Sequence, residues 1–391
     1  TTAHPSGIID YNLYSACKSR ICFKLADELD SQDLLRSPDA AYLTNVGRAY
    51  LQVGNFETYE LFQAAWSGAS SLKQPEEKRG EISWKTQCED IVQYIVELCK
   101  SEKILSAGQL WLPLMPNQIL SPYTKRKFIK KLEELSTNLA IGIADDVETQ
   151  TRREYNFDFI RNGHMLYMAS EGYGKTTFLA NIILSLSIKN LVKNLEIYVL
   201  DMGNYGLEPY RELNNVVDYF SYRDLDRLDK FYNLMMDMLA ERRNLFDNSA
   251  AKNFLQFNQT HNSRLPAVVI AVDNYEYIDD FEKMSELIRR IATEGCALGI
   301  YLAVTLTHAN VMKRATMVNF EKRIAGFNYN EDEIDVLIGR NHIHLAEGRQ
   351  GRALVDIDGI KLMQLYAPVS DRENLRELIA DINMETETKH N

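Results

Sequence analysis

The stretch S-E-G-Y-G-K-T-T-F at 170–178 constrains the fold more than any other part of the chain. A short apolar run, 164–169, precedes it and a helical pattern, 176–188, follows. An apolar strand, a glycine-rich turn and a helix in succession form the first half of a βαβ unit, which needs a parallel partner strand. Further strand-like and helix-like stretches alternate downstream. L-E-I-Y-V-L at 195–200 ends at Asp201, and 225–246 is a long helix. A-V-V-I-A-V at 267–272 reads as a buried strand, 281–293 as a helix and 300–305 as another buried strand. The pattern predicts an α/β fold with a mostly parallel sheet and helices on both faces.

The turn has the chemistry of a nucleotide phosphate loop. Gly172 and Gly174 can take backbone angles barred to other residues. The amides from residue 171 to 177, Tyr173 and Thr177 among them, can therefore curl around phosphate oxygens. The following helix adds the positive end of its dipole. Lys175 supplies a charge for the β- and γ-phosphates, and Thr176 a hydroxyl for Mg²⁺. The full pattern G-x-x-x-x-G-K-[ST] is not met, because Ala169 holds the first glycine position. Glu171, inside the loop, is compatible with phosphate only if it points outward.

The strand 267–272 ends in Asp273, the expected second half of such a site, holding Mg²⁺ mostly through water. The next position decides turnover. A hydrolysing site of the additional-strand type has Glu there, to polarise the attacking water. This chain has Asn274, which cannot take a proton, and losing a general base costs roughly 10²–10⁴-fold. Glu276 is the alternative base. Thr305 is either a γ-phosphate sensor or a plain strand-end hydroxyl. Arg242 and Arg243 either reach a neighbouring subunit's phosphate or are solvated.

An internal echo organises the rest. Arg20-Ile21 is followed by Gly47-Arg48-Ala49, and Arg323-Ile324 by Gly351-Arg352-Ala353 at nearly the same distance. Leu61-Phe62 and Leu365-Tyr366 then follow their glycines equally. Each copy reads as a β-hairpin, turning at Gly54-Asn55 and at Asp358-Gly359. The expectation is a partial domain at 1–68, a helical linker at 69–109 and a complete domain at 110–391. In the linker, T-Q-C-E at 86–89 fits a capping box, followed by a helix whose stripe of Cys88, Ile91, Val92, Ile95, Leu98 and Cys99 is expected to be buried. L-W-L-P-L-M-P at 110–116 reads as an extended apolar strap, because its prolines exclude a helix interior or a central strand.

The net charge of −11 argues against a DNA-tracking surface. The basic cluster at 125–131 runs directly into Glu133-Glu134 and reads as a solvated helix face. Five cysteines without a C-x-x-C pair fit neither a disulfide framework nor a zinc site, and point to a reducing compartment. No apolar run reaches the roughly 18 residues of a membrane span. The opening at Thr1 reads as that of a fragment of a longer protein.

These motifs resemble the FtsK/SpoIIIE family of P-loop motor ATPases. Within it the chain is similar to the EssC/EccC coupling proteins of type VII secretion. The likeness rests on Ile141-Gly142 through Asp145-Asp146 to Gln150, on Gly172 to Thr177, on Leu200-Asp201-Met202-Gly203, on Asp273-Asn274-Tyr275-Glu276, and on L-W-L-P at 110–113. Thr2-Ala3-His4-Pro5-Ser6 resembles the end of a sensor strand of a preceding motor domain. The resemblance implies RecA-like sheets, ATP and Mg²⁺ as ligands, and a membrane-anchored parent with three such domains at the cytoplasmic face. It also implies WXG100-type secretion substrates and other parts of the secretion machine as partners. The departures at Ala169 and Asn274 imply weak ATPase activity at most. A DNA-translocating motor and a nucleotide-free scaffold are the competing functions.

Overall fold

A computed structural model describes residues 11–66, 68–71, 76–78, 81–83, 86–104, 112–124, 132–261, 264–369 and 371–387. Thr2-Ala3-His4-Pro5-Ser6, Trp111 and the basic cluster at 125–131 lie outside these. The chain divides into two compact units, Thr1–Gly108 and Gln109–Asn391.

The first unit contains α1 (Tyr11–Ala16), β1 (Ser19–Phe23), α2 (Glu28–Leu35), β2 (Arg48–Val53), β3 (Thr58–Gln63), β4 (Glu76–Lys78), β5 (Glu81–Ser83) and α3 (Gln87–Ser101). β1, β2 and β3 form an antiparallel meander. Its core is small: Cys22, Leu35, Ala40 and Leu43. α3 begins as the sequence predicts. The Thr86 hydroxyl accepts from the Glu89 amide at 3.3 Å, and the Glu89 carboxylate accepts from the Thr86 amide at 2.7 Å. Its apolar stripe is not buried, contrary to expectation. Ile91 is 59% exposed and Ile95 50%, and no described residue of α3 is buried. Periodicity fixes which residues share a helix face, not what lies opposite.

The second unit contains β6 (Ile119–Leu120), β7 (Asn138–Asp146), β8 (Thr151–Asp158), α4 (Phe159–Asn162), β9 (Met165–Met168), α5 (Lys175–Lys189), β10 (Leu195–Asp201), β11 (Val216–Ser221), α6 (Leu225–Ser249), α7 (Phe254–Thr260), β12 (Ala267–Asp273), α8 (Glu276–Asp279), α9 (Glu282–Leu298), β13 (Ile300–Leu306), α10 (Arg314–Met317), β14 (Lys322–Gly326), α11 (Glu331–Ile338), β15 (Arg352–Asp356), β16 (Ile360–Ala367) and α12 (Arg372–Glu387). They build one sheet in the order β11-β10-β12-β13-β9-β14-β15-β16-β7-β8, with β6 beside β16. The six strands from β11 to β14 are mutually parallel. β15, β16, β7 and β8 continue antiparallel. This is the RecA-like sheet, with an additional strand, β13, between the glycine-turn strand β9 and the Asp273 strand β12.

Every residue of β9, β12 and β13 is buried, as unbroken apolar runs in a parallel sheet require. α5 is buried from Phe178 to Ile188 on all sides and packs against β12, β13, β16 and β7. His164 opens β9 as a structural clamp. Its Nδ1 accepts from the Leu302 amide at 3.0 Å and its Nε2 donates to the Ile291 carbonyl at 3.1 Å. Burial holds its pKa down at about 4. Arg242 is not an intersubunit finger. It is 4% exposed and donates to the Pro266 and Leu298 carbonyls, both at 2.8 Å. It thus ties α6 to the entries of β12 and β13, at the end of the sheet away from Asp273. Arg243 pairs with Glu294.

The two hairpins of the sequence echo share a topology but not a length. The Gly47 carbonyl accepts from Ala64, and the Gly351 carbonyl from Leu365, both at 2.8 Å. The first hairpin is therefore three residues longer, and Leu61-Phe62 does not occupy the ladder position of Leu365-Tyr366. Gln63 and Gln364 do correspond. They pair with Arg48 and Arg352, and each donates from Nε2, at 3.1 Å, to the carbonyl preceding its glycine. The strap from Leu112 to Gln118 is held by arginines of its own unit. Arg352 donates to the Met115 carbonyl at 3.2 Å, Arg152 to that of Pro113, and Arg349 to the Asn117 side chain.

Candidate functional site

The site forms where the parallel strands end. β9 stops at Met168, and the chain turns through Gly172 (φ 80°) and Gly174 (φ 95°), both left-handed, before α5 begins at Lys175. No side chain caps α5, so its first-turn amides face the cleft. Ala169 fits because its amide is fixed to the Leu306 carbonyl at 3.1 Å, and the loop's positive-φ turns fall later, at the two glycines. Glu171 is exposed at the rim. Tyr173 contributes scaffolding. Its ring stacks on Phe327 with centroids 4.5 Å apart, and its hydroxyl accepts from the Gly348 amide at 3.2 Å.

Lys175 is 6% exposed, and its ammonium donates to the Ala169 carbonyl at 3.2 Å and the Thr307 hydroxyl at 2.6 Å. Burial lowers its pKa. Thr176 donates to Asp273 Oδ2 at 2.7 Å, and Thr305 to Asp273 Oδ1 at 2.6 Å. Asp273 is fully buried, and this burial raises its pKa against the lowering effect of the two threonines. Asp201, its in-register neighbour on β10, accepts from the Leu207 amide at 2.9 Å and the Tyr219 hydroxyl at 3.0 Å. The sequence thus brings Lys175, Thr176 and Asp273 together from α5 and β12.

Of the two readings of Thr305, its placement favours the plain strand hydroxyl: it lies inside β13, fully buried beneath Asp273, and its oxygen accepts from the Asn274 amide at 3.0 Å. Thr307, just past the strand end, faces the cleft instead. Sequence reasoning missed it, although a second hydroxyl two residues beyond Thr305 was visible. Glu276 reaches the cleft, but its carboxylate accepts from the Thr307 amide. Asn274 sits at φ 57°, a left-handed angle that asparagine tolerates. Its side chain presses on Gly203, where a Cβ would lie 2.4 Å from Asn274 Nδ2.

Lys175, Thr176, Asn274, Glu276 and Thr307 line a cleft of about 1280 Å³. Asn274, Glu276, Thr307 and His308 line it from the chain beyond β12 and β13, on one side of β9, and Gln350, Gln364 and Ala367 from β16 and the entry to β15, on the other. The residues present fit a Mg²⁺-nucleotide. The amides and Lys175 suit phosphate, and Thr176 with Asp273 suits a hard cation. Among the described residues, no group of three or more His, Cys, Asp or Glu side chains could hold a metal by itself. Also among them, no helix is long and apolar enough to cross a membrane.

The phosphate loop, its buried helix, the additional strand and the buried aspartate define a P-loop nucleotide-binding domain of the RecA-like class. Residues 133–276 match the FtsK/SpoIIIE family model, and the chain belongs to that family. It is similar to the ESX secretion system protein EccC of Geobacillus thermodenitrificans (strain NG80-2). The identity is 30% over 413 residues, which cover 99% of this chain and 27% of that protein. The chain thus spans about a quarter of the length of this curated relative. The fold is that of the cytoplasmic domain of Thermomonospora curvata EccC, with a TM-score of 0.73 and 20% identity, covering 95% of this chain and 44% of that one. T. curvata EccC (ATPases 2 and 3) has been solved in complex with a signal sequence peptide. It matches with a TM-score of 0.61 and 19% identity, over 70% of this chain and 54% of that one.

Proposed function

We propose that this chain is an ATP- and Mg²⁺-binding module of a type VII secretion coupling ATPase, in which nucleotide acts mainly as a structural or regulatory ligand. The observation that carries the reading is the Lys175, Thr176 and Asp273 cluster beside Asn274, where a hydrolysing site has an acid. Thr176 and Asp273 would hold Mg²⁺, which when bound neutralises phosphate charge. Lys175 would move from the Ala169 carbonyl and Thr307 onto the phosphates. Glu276 lines the cleft with Asn274 and Thr307, and its bond to the Thr307 amide limits its use as a base. Hydrolysis is accordingly weak.

The relative solved with a signal sequence peptide supports WXG100-type substrates as partners, recognised by this chain or through the rest of the secretion machine. It works at the cytoplasmic face of the membrane, anchored by segments outside this chain. The matching Gln63–Gly47 and Gln364–Gly351 arrangements support residues 1–68 as the terminal strands of another domain of the same kind. Residues 69–109 are then the linker, and 110–391 the complete domain.

Calorimetry with Mg-ATP tests the reading. Lys175→Ala is expected to weaken binding about ten- to a hundredfold, the loss of a charge-assisted contact. No heat at near-millimolar ATP would point to a nucleotide-free scaffold instead. Tight duplex DNA binding at low salt in a filter assay would point to a DNA motor.

A further inference from the structure

Asp201 ends β10 in register with Asp273 and is fully buried, yet it holds neither phosphate nor metal in the function proposed. A buried carboxylate is costly unless its oxygens are well satisfied. The hydrogen bonds to this one come from three neutral donors. Oδ1 accepts from the Gly203 amide at 3.2 Å, and Oδ2 from the Leu207 amide at 2.9 Å and the Tyr219 hydroxyl at 3.0 Å. Three donors divided over two oxygens call for a carboxylate, because asparagine offers one oxygen and turns an NH₂ toward the rest. The two amides bracket the loop 202–207, whose Met202, Gly203 and Asn204 line the cleft. Between those amides Tyr205 stands at φ 60°, a left-handed angle that persists only where the surroundings enforce it.

The loop meets the metal half of the site through its glycines. A Cβ on Gly206 would lie 2.5 Å from Thr176 Cγ2. One on Gly203 would lie 2.4 Å from Asn274 Nδ2 and 3.6 Å from Asp273 Oδ2. The bare backbone therefore sits directly against Thr176 and Asn274, and Thr176 is in turn bonded to Asp273. The phosphate half is held by other contacts, the Ala169 amide on the Leu306 carbonyl and the Tyr173 ring on Phe327. Mg²⁺ demands near-ideal octahedral geometry, so a small displacement of Thr176 or Asp273 weakens it. Groups that orient metal ligands from behind are worth about tenfold to a hundredfold in metal affinity. Asp201 stands in that relation to Thr176 and Asp273, one loop removed from both.

We propose that Asp201 is a positioning residue for the bound cation: by drawing the amides of Gly203 and Leu207 together, it seats the loop 202–207 against Thr176, Asp273 and Asn274. This rests on the nucleotide reading above. The test is calorimetry with ATP, once with excess Mg²⁺ and once in EDTA, on the unaltered chain and on Asp201→Asn. The variant should bind Mg-ATP about tenfold more weakly, and ATP in EDTA no more weakly than the unaltered chain. Loss of a negative charge alone would tighten both, and a general loosening of the cleft would weaken both; either result overturns the proposal. Gly206→Ala leaves Asp201 untouched and serves if Asp201→Asn does not melt cooperatively. Gly206 is not at a left-handed angle, so the added methyl acts through Thr176. It should weaken Mg-ATP about tenfold while changing ATP in EDTA by no more than about twofold. Unchanged Mg-ATP affinity in that variant would sink the proposal. Equal affinity with and without Mg²⁺ in the unaltered chain would leave ATP binding standing but overturn the role given to Asp201. If the unaltered chain binds ATP under neither condition, the nucleotide reading itself fails, and this one with it.

Discussion

Asp273 carries opposed demands. Metal binding needs it ionised, while burial raises its pKa and makes the ionised form costly in the fold. A raised folded pKa stabilises the protonated state, so the contribution is fully present below the unfolded pKa and lost as pH rises through the folded one. At neutral pH an uncharged isostere should relieve this cost. Asp273→Asn is expected to melt at or above the temperature of the unaltered chain without nucleotide, yet to lose the Mg²⁺-dependent part of ATP affinity. Melting well below the unaltered chain would contradict it. Asn274 poses the converse case. Asn274→Glu restores a carboxylate, but a Glu at φ 57° costs about 1 kcal/mol and meets Gly203. ATP turnover should rise by about tenfold, short of what a well-placed base supplies. A variant no faster than the parent would show that the missing acid is not what limits hydrolysis. Parent turnover of about 1 s⁻¹ or more would show the same.

Between elements, the His164 clamp joins β9 to α9 and β13, and it is neutral in the fold. Its folded pKa of about 4 lies below the ordinary 6.5. The unfolded chain therefore binds a proton that the folded chain refuses. The stability is fully present above the unfolded pKa and falls with pH between 6.5 and about 4, by about 2 kcal/mol from pH 7 to pH 5. His164→Gln should be less stable at pH 7, with a pH slope of unfolding shallower by about one proton over that window. Equal slopes would mean that His164 does not titrate with unfolding. The elements here were largely legible. β12 and β13 announce themselves as apolar runs, β10 as an apolar strand broken only by Glu196, and the phosphate loop places α5. The burial of α3 was not legible, because a stripe carries no information about its partner. Nor was the role of Thr307: it depends on where β13 leaves the sheet, a boundary that local propensity does not fix.

At the scale of the whole molecule, the units differ in what they can sustain alone. The buried cluster of the second unit runs from Leu139 to Ile382, whereas that of the first has four residues. Among the described residues, an apolar cluster of four side chains, with Ile21 55% and Phe23 49% exposed on the meander, buries too little apolar surface to offset the entropy of ordering that unit. Every cleft-lining residue lies between Asn117 and Ala367, inside the second unit. Residues 109–391 expressed alone should therefore melt in one cooperative transition and bind Mg-ATP within about twofold of the full chain. Residues 1–108 alone should show no cooperative melt and little protection of backbone amides from hydrogen exchange. A tenfold or greater loss of ATP affinity in 109–391 would mean that the first unit contributes to the nucleotide site. A sharp melt of 1–108 would mean that its strands need no further domain to complete them, and would count against reading them as the end of one.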